Sequence, residues 1–180
     1  AYASGAQVLD AYSYSGGFSI AALLNGAAGA NLIDSSADAL KMAGQQARLN
    51  GVADRCRFTN ANVPEELRRL RDSRQQFDLV VLDPPQFVSS AQQLQSGCRG
   101  YKDINMLGLQ LLRPGGVLAS FSWSGHVSSD LFQKVVAGAA VDVKRDVQII
   151  ERLSQPADQP VALQFPEAEY LKGLIMRIVA

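Results

Sequence analysis

Phe77-Asp78-Leu79-Val80-Val81-Leu82-Asp83-Pro84-Pro85-Gln86-Phe87 is the stretch that decides the fold. Phe77–Asp83 is apolar but for Asp78 and the closing Asp83, the pattern of a strand buried on both faces, as in parallel sheets covered by helices on both sides. Pro84-Pro85 then stops the ladder, because neither residue has a backbone N–H to donate. Toward the N-terminus, Gln7–Tyr12 and Ala30–Ile33 are two more such runs, and Arg55–Thr59 is a weaker one. Toward the C-terminus, Val117–Phe121, Val147–Ile150 and Gly173–Val179 complete the set. Helical spacing falls between them: Phe18–Leu24, then Leu40, Ala43 and Ala47 behind a cap at Ser35 or Ser36, then Glu65–Arg74 and Ile104–Leu112. Ser128 or Ser129 opens a further helix in which Leu131, Val135 and Ala139 share a face, and Arg113-Pro114-Gly115-Gly116 reads as a sharp turn. This alternation predicts an α/β fold with a seven-stranded, mostly parallel sheet and helices on both faces. The last two strands have no helix between them and are expected to pair antiparallel at one edge.

Composition bounds the rest. The chain has 180 residues, which suits one domain, and 17 Lys+Arg balance 17 Asp+Glu. At 47% hydrophobic and 19% charged it is not a disordered chain, and a net charge of zero argues against binding nucleic acid by charge alone. No uncharged apolar run approaches the roughly 18–20 residues of a membrane-spanning helix, so no membrane partner is expected. Two cysteines, Cys56 and Cys98, cannot make a disulfide framework and fit a reducing cytoplasm. No Cys/His cluster has metal-ligand spacing and no Gly-x-x-x-x-Gly-Lys phosphate loop occurs, so no metal is expected. The chain opens on Ala1 rather than Met and reads as a piece of something longer; its oligomeric state leaves no signal.

In an open α/β sheet, ligands bind beyond the carboxyl ends of the strands. The first such junction is Asp10-Ala11-Tyr12-Ser13-Tyr14-Ser15-Gly16-Gly17-Phe18. Gly16 and Gly17 permit a tight turn and close backbone approach, but Tyr12 and Tyr14 stand where Gly-x-Gly-x-x-Gly needs glycine, which disfavours NAD. Asp34 ends the second strand, where a carboxylate can accept both ribose hydroxyls of an adenosine ligand or simply cap the next helix. Asp83-Pro84-Pro85-Gln86-Phe87 is the sharpest signal: a stiff loop holding an acid, with Phe87 offering a face to a planar base. Residues 48–74 hold seven arginines against four acids, which could touch phosphates or form a solvated face. His126, the only histidine, has no carboxylate near it in sequence and reads as a loop residue.

Together with Cys98-Arg99-Gly100-Tyr101-Lys102-Asp103-Ile104-Asn105 and Phe121-Ser122-Trp123-Ser124-Gly125, these stretches resemble the class I S-adenosylmethionine-dependent methyltransferases, which have a Rossmann-like fold. More closely, they resemble the catalytic domain of bacterial large-subunit ribosomal RNA cytosine-C5 methyltransferases that carry an N-terminal PUA domain. The resemblance covers essentially the whole chain. It implies one methyltransferase catalytic domain over 1–180, preceded in the longer protein by a PUA domain and a linking segment. It also implies S-adenosylmethionine as cofactor and large-subunit ribosomal RNA as partner. Asp10, Ser13, Tyr14, Gly16, Gly17 and Phe18 would hold the methionine end, Asp34 the ribose and Asn62 the adenine amine. Asp83, Pro84, Pro85 and Phe87 would frame the flipped base, with Asp83 also bordering the cofactor and serving the chemistry.

One position departs from the pattern. Methylating carbon-5 of cytosine needs a thiolate that adds to carbon-6, and the resemblance places that cysteine in Phe-Ser-Cys-Ser-Gly. Here the position is Trp123, which cannot form the adduct and would instead stack on the base or block it. Cys98, expected in a loop beside Arg99, is either the one substitute nucleophile, with a lowered thiol pKa, or a small packing residue of the Cys-Arg-Gly-Tyr stretch; Cys56 is expected to be buried and inert. The remaining alternatives are transfer to a more nucleophilic base nitrogen, such as one of guanine, or a domain that binds without turnover.

Overall fold

The computed structural model describes residues 2–165 and 168–179. Seven strands, β1 (Gln7–Ala11), β2 (Gly29–Asp34), β3 (Cys56–Asn60), β4 (Phe77–Leu82), β5 (Leu112–Ser122), β6 (Val147–Leu153) and β7 (Lys172–Ile178), form one sheet in the order β3-β2-β1-β4-β5-β7-β6. β1 pairs in parallel with β2 and β4, β2 with β3, and β4 with β5. β7 runs antiparallel to both β5 and β6, so the last two strands do pair antiparallel at one edge, with the reversed strand lying one place in from it. Strand order reverses between β1 and β4, and a doubly wound sheet opens a ligand crevice at such a switch.

Five helices connect the strands: α1 (Gly17–Leu24), α2 (Ala37–Leu49), α3 (Val63–Asp72), α4 (Leu94–Leu111) and α5 (Ser129–Asp142). Alternate residues of each strand face opposite sides, so the sheet divides the apolar residues into two cores. Val8, Leu32, Leu79 and Val81 pack with Ile20 and Leu23 of α1 and Leu40, Ala43 and Ala47 of α2. Leu9, Ile33, Val80 and Leu82 pack with Leu67 of α3, Ile104 and Leu107 of α4, and Phe132 and Val136 of α5. No helix among the described residues is long and apolar enough to cross a membrane.

Of the two candidate caps before α2, Ser36 is the one used: its Oγ accepts the Ala39 N–H at 3.2 Å. Ser128 caps α5 in the same way through Leu131. The buried stripe of α5 is Phe132, Val136 and Ala139, with Leu131 and Val135 at its margin. Residues 113–116 are not a free turn. They form an irregularity inside β5, where pairing with β4 jumps from Phe77–Leu112 to Leu79–Val117 and Gly115 takes φ +78°. A proline is tolerated there because the ladder is already interrupted.

The largest difference from the sequence reading is α4, which begins at Leu94 rather than Ile104. Gly97 and Gly100 argue against helix on propensity, but both are packing positions. A Cβ on Gly97 would lie 2.2 Å from Val88 Cγ2 and 2.7 Å from the Phe87 carbonyl oxygen, and one on Gly100 would lie 3.2 Å from the Phe87 ring. The segment after Pro84-Pro85 therefore rests directly on the helix, and only glycine leaves room for it.

Candidate active site

The β1–α1 loop forms the first wall. Tyr12 and Tyr14 sit at φ 64° and 45°, and Gly16 at φ +80°. The loop is held by backbone bonds: Ser13 N–H donates to Ile33 carbonyl at 3.0 Å and Gly16 N–H to Ser13 carbonyl at 2.7 Å. Gly16 is required twice over, by its left-handed backbone and because a Cβ would meet Leu32 at 3.0 Å and Ala43 at 3.1 Å. Gly17 has nothing within 4 Å of where a Cβ would be, so it leaves open space beside the helix start.

Asp10 lies beneath this loop, fully buried. Its Oδ2 accepts the Ser19 N–H at 3.1 Å and the Ser19 hydroxyl at 2.7 Å, which ties β1 to the first turn of α1. Burial pushes the carboxyl up to about 7 against the pull of those bonds, and the charges of Asp83 and Asp34 add to the rise. Asp34 clamps the loop from the side: one carboxylate oxygen accepts the Tyr14 N–H and the other the Ser36 N–H, each at 2.9 Å. Each oxygen keeps a second lone pair for a ligand.

The ends of β4 and β5 form the second wall. The Trp123 indole N–H donates to Asp83 Oδ1 at 2.6 Å, and the indole lies 6.0 Å from the Tyr170 ring, centroid to centroid. Burial raises the Asp83 carboxyl above its ordinary value, and the indole bond pulls it partly back. Behind Trp123, Ser122 and Ser124 are fully buried and both bond the Tyr101 hydroxyl, at 3.0 and 3.1 Å. Lys172 donates to the Ser124 carbonyl.

Between the walls lie two adjoining cavities of about 430 and 480 Å³. Ser13, Gly17 and Phe18 line one, Asp34, Pro84, Pro85 and Trp123 line the other, and Tyr12, Tyr14 and Asp83 border both. These volumes are in the ordinary range for small-molecule sites.

Five expected site residues border neither cavity: Asp10 and Gly16 support the loop from below rather than touching its ligand side, and Phe87, Asn62 and Cys98 are placed elsewhere. Phe87 lines neither cavity. Its ring lies 4.8 Å from Tyr101 and 6.3 Å from Tyr12, lodged over Gly97 and Gly100 of α4, so it serves the core rather than offering a face to a base. Asn62 caps α3, its Oδ1 accepting the Glu65 N–H at 3.3 Å, and does not border the cavities. Cys98 is on α4 and not in a loop. Burial raises its thiol, the reverse of the lowering expected from Arg99. Consecutive helical side chains diverge by about 100°, so the guanidinium does not face the sulfur. Cys56, at the start of β3, is half-buried and also raised by burial.

The arginine-rich stretch is largely engaged within the chain. Arg55 bonds the Leu23 and Ala27 carbonyls, Arg68 pairs with Asp103, Arg69 with Glu66, and Arg71 with Asp72. His126 is exposed beyond β5. Among the described residues, no group of three His, Cys, Asp or Glu side chains could hold a metal ion. Sequence reading missed Ser19, Tyr170 and Lys172. The Asp10–Ser19 pair carries a weak signal, an acid at a strand end and a serine in the next helix. Tyr170 has none, since it reaches Trp123 from the far end of the chain.

An open sheet with a glycine turn on β1, a carboxylate closing β2 and an Asp-Pro-Pro edge on β4 defines a Rossmann-like enzyme whose cofactor carries a ribose. The chain belongs to the S-adenosylmethionine-dependent methyltransferases: the family model matches residues 1–177. It is 48% identical over 179 residues to the "Ribosomal RNA large subunit methyltransferase I" proteins of Erwinia tasmaniensis and Klebsiella pneumoniae, and in both cases covers 99% of this chain and 45% of the relative. The chain thus spans less than half the length of these relatives. Among solved structures, a Streptococcus mutans protein described as a SAM-dependent methyltransferase aligns with TM-score 0.85 at 21% identity, over 97% of this chain and 45% of that one. A methyltransferase structure with S-adenosylhomocysteine bound aligns with the same score and identity.

The cleft fits the family's cofactor on its own evidence. Ser13 Oγ is buried without a hydrogen-bond partner on the loop that lines the cleft, Gly17 leaves open space, and Asp34 retains acceptor capacity.

Proposed function

We propose that this chain is the catalytic domain that methylates a base of large-subunit ribosomal RNA, with S-adenosylmethionine as donor and cytosine, the base implied by the sequence resemblance, as target. Such a reaction belongs in the cytoplasm. The observation that carries this reading is the continuity of the cleft: Tyr12, Tyr14 and Asp83 border both the loop-side cavity and the Asp83–Trp123 side. Cofactor and base can therefore meet there.

S-adenosylmethionine supplies an electrophilic methyl group on a sulfonium. The protein's part is to hold and orient. Asp34 accepts from the ribose hydroxyls while staying bonded to the loop, and Ser13, Tyr14, Gly17 and Phe18 enclose the rest. Asp10 acts from below by fixing Ser19 and so the start of α1. Asp83, Pro84 and Pro85 present the edge against which a base extruded from an RNA stack comes to rest, extrusion costing about a few kcal/mol. Carbon-5 transfer would further require a thiolate, and Cys98 is the cysteine proposed for it from sequence; its place on α4 and its raised thiol give that route no support.

The test is transfer of labelled methyl groups by the full-length gene product to deproteinised large-subunit ribosomal RNA, with calorimetry of this chain and S-adenosylhomocysteine alongside. Binding and transfer are expected. Binding without transfer would leave a non-catalytic cofactor-binding module, and no binding at millimolar ligand would remove the reading altogether.

A further inference from the structure

The residue at the expected nucleophile position decides which atom of the base takes the methyl group. Trp123 directs its only polar hydrogen at Asp83 Oδ1, so it offers the base neither a nucleophile nor a free donor. Neither Cys56 nor Cys98 lines the cleft. A reaction that begins by adding sulfur to a pyrimidine ring has no sulfur there to begin it.

The same wall has a definite hydrogen-bonding character. Pro84 and Pro85 line the cleft and have no N–H, so neither gives it a backbone donor, and the Asp83 carboxylate stands beside them. No described residue donates to Asp83 Oδ2. The free Asp83 Oδ2, with the Trp123 N–H beside it already engaged, complements a group that brings hydrogens of its own, while the other donors of the cleft, the hydroxyls of Tyr12, Tyr14 and Ser35, stand on the β1 and β2 side. Carbon-5 of cytosine brings no hydrogen-bonding hydrogen, and an unprotonated ring nitrogen is itself an acceptor.

We infer that the methyl acceptor is an exocyclic amine nitrogen, N4 if the base is cytosine, with Asp83 Oδ2 accepting one amine hydrogen while Trp123 fixes the carboxylate through Oδ1. This rests on the base-methylation reading above. The nitrogen lone pair forms the new N–C bond as the methyl–sulfur bond breaks, and the electron pair of that bond stays on sulfur as a neutral thioether. The methylated nitrogen then releases one of its hydrogens as a proton to Asp83 Oδ2, and from there to water. The burial that raises Asp83 suits a carboxylate that takes up a proton and gives it back. Asp83 touches the amine directly; Trp123 acts through Asp83 and is a positioning residue.

The experiment uses the full-length gene product with large-subunit ribosomal RNA transcribed either with cytidine tritiated at carbon-5 or with 5-fluorocytidine. Nucleoside mass spectrometry is expected to find a methylated exocyclic amine, with no tritium released and no covalent protein–RNA adduct. Tritium release or an adduct would overturn the inference in favour of carbon-5, and a methylated ring nitrogen would overturn it too, both leaving the base-methylation reading standing. No methylated nucleoside of any kind would sink that reading and this inference together. Trp123→Phe keeps the aromatic bulk and removes the donor. It is expected to lower kcat about 10- to 100-fold with cofactor affinity unchanged. It should also move the acid limb of the pH profile upward, because the indole bond holds the Asp83 carboxyl down. Asp10 on β1, Tyr12 and Tyr14 on the loop, Asp34 on β2, Tyr170 beside the indole and Lys172 on β7, the titratable groups around the cleft, are the same in both proteins. A Trp123→Phe profile superimposable on the parent's would remove the positioning role.

Discussion

The two walls of the cleft are built differently. The β1–α1 wall is a backbone structure: two tyrosines and Gly16 in left-handed conformations, held by main-chain bonds to β2 and by carboxylates that accept backbone N–H groups. The β4–β5 wall is a side-chain structure, in which an indole, a carboxylate, two prolines and a tyrosine from distant segments meet. A wall of backbone tolerates little change in sequence, since its geometry is the fold itself. A wall of side chains can change its chemistry one residue at a time.

If that contrast holds, substitutions on the side-chain wall should alter rate and those on the backbone wall should alter stability or binding. Asp83→Ala is expected to have the largest effect, lowering single-turnover methyl transfer by about 10²–10⁴-fold while cofactor affinity measured by calorimetry changes far less. A comparable loss of affinity would place Asp83 with the cofactor instead. Gly16→Ala should destabilise the domain by about 2–4 kcal/mol, from the left-handed backbone and the contacts its Cβ would make with Leu32 and Ala43. A drop in Tm of roughly 5–15 °C is the expected readout. Asp34→Ala should weaken cofactor binding by about 1–3 kcal/mol, the range for a lost charge-assisted hydrogen bond, and calorimetry would measure it.

Asp10 makes stability depend on pH. Its carboxyl stays protonated in the folded chain up to about pH 7, whereas in the unfolded chain it ionises near 3.8. Between those values the native state holds a proton that the unfolded state has released, so stability falls as pH rises, by at most about 1.4 kcal/mol per pH unit, and levels off above 7. Urea midpoints across that window should show the slope in the parent and lose Asp10's share of it in Asp10→Asn.

The same division explains what could be read from sequence. Phe77–Leu82, Val8–Leu9 and Ala30–Ile33 announce buried strands because both sheet faces are covered, and the strand ends then locate Asp10, Asp34 and Asp83 without further help. Local pattern failed where packing between distant segments overrode it. The first ten residues of α4 read as loop because Gly97 and Gly100 are poor helix formers, yet both glycines exist to admit Val88 and Phe87. Phe87 turned inward for the same reason. The bond from Trp123 to Asp83 joins residues forty positions apart and follows from no motif.

Trp123 stands between two serines that are both fully buried and both tied to Tyr101, with Ser124 Oγ also accepting the Val88 N–H at 3.2 Å. Those neighbours anchor the chain on either side of position 123, just beyond the end of β5, while the side chain between them lines the cleft. In evolutionary terms, position 123 is a socket. Tryptophan and cysteine codons differ by a single nucleotide, so a lineage could pass between a thiol and an indole here in one mutational step with the scaffold undisturbed. Enzymes of different reaction type could then descend from one another without an unstable ancestor between them.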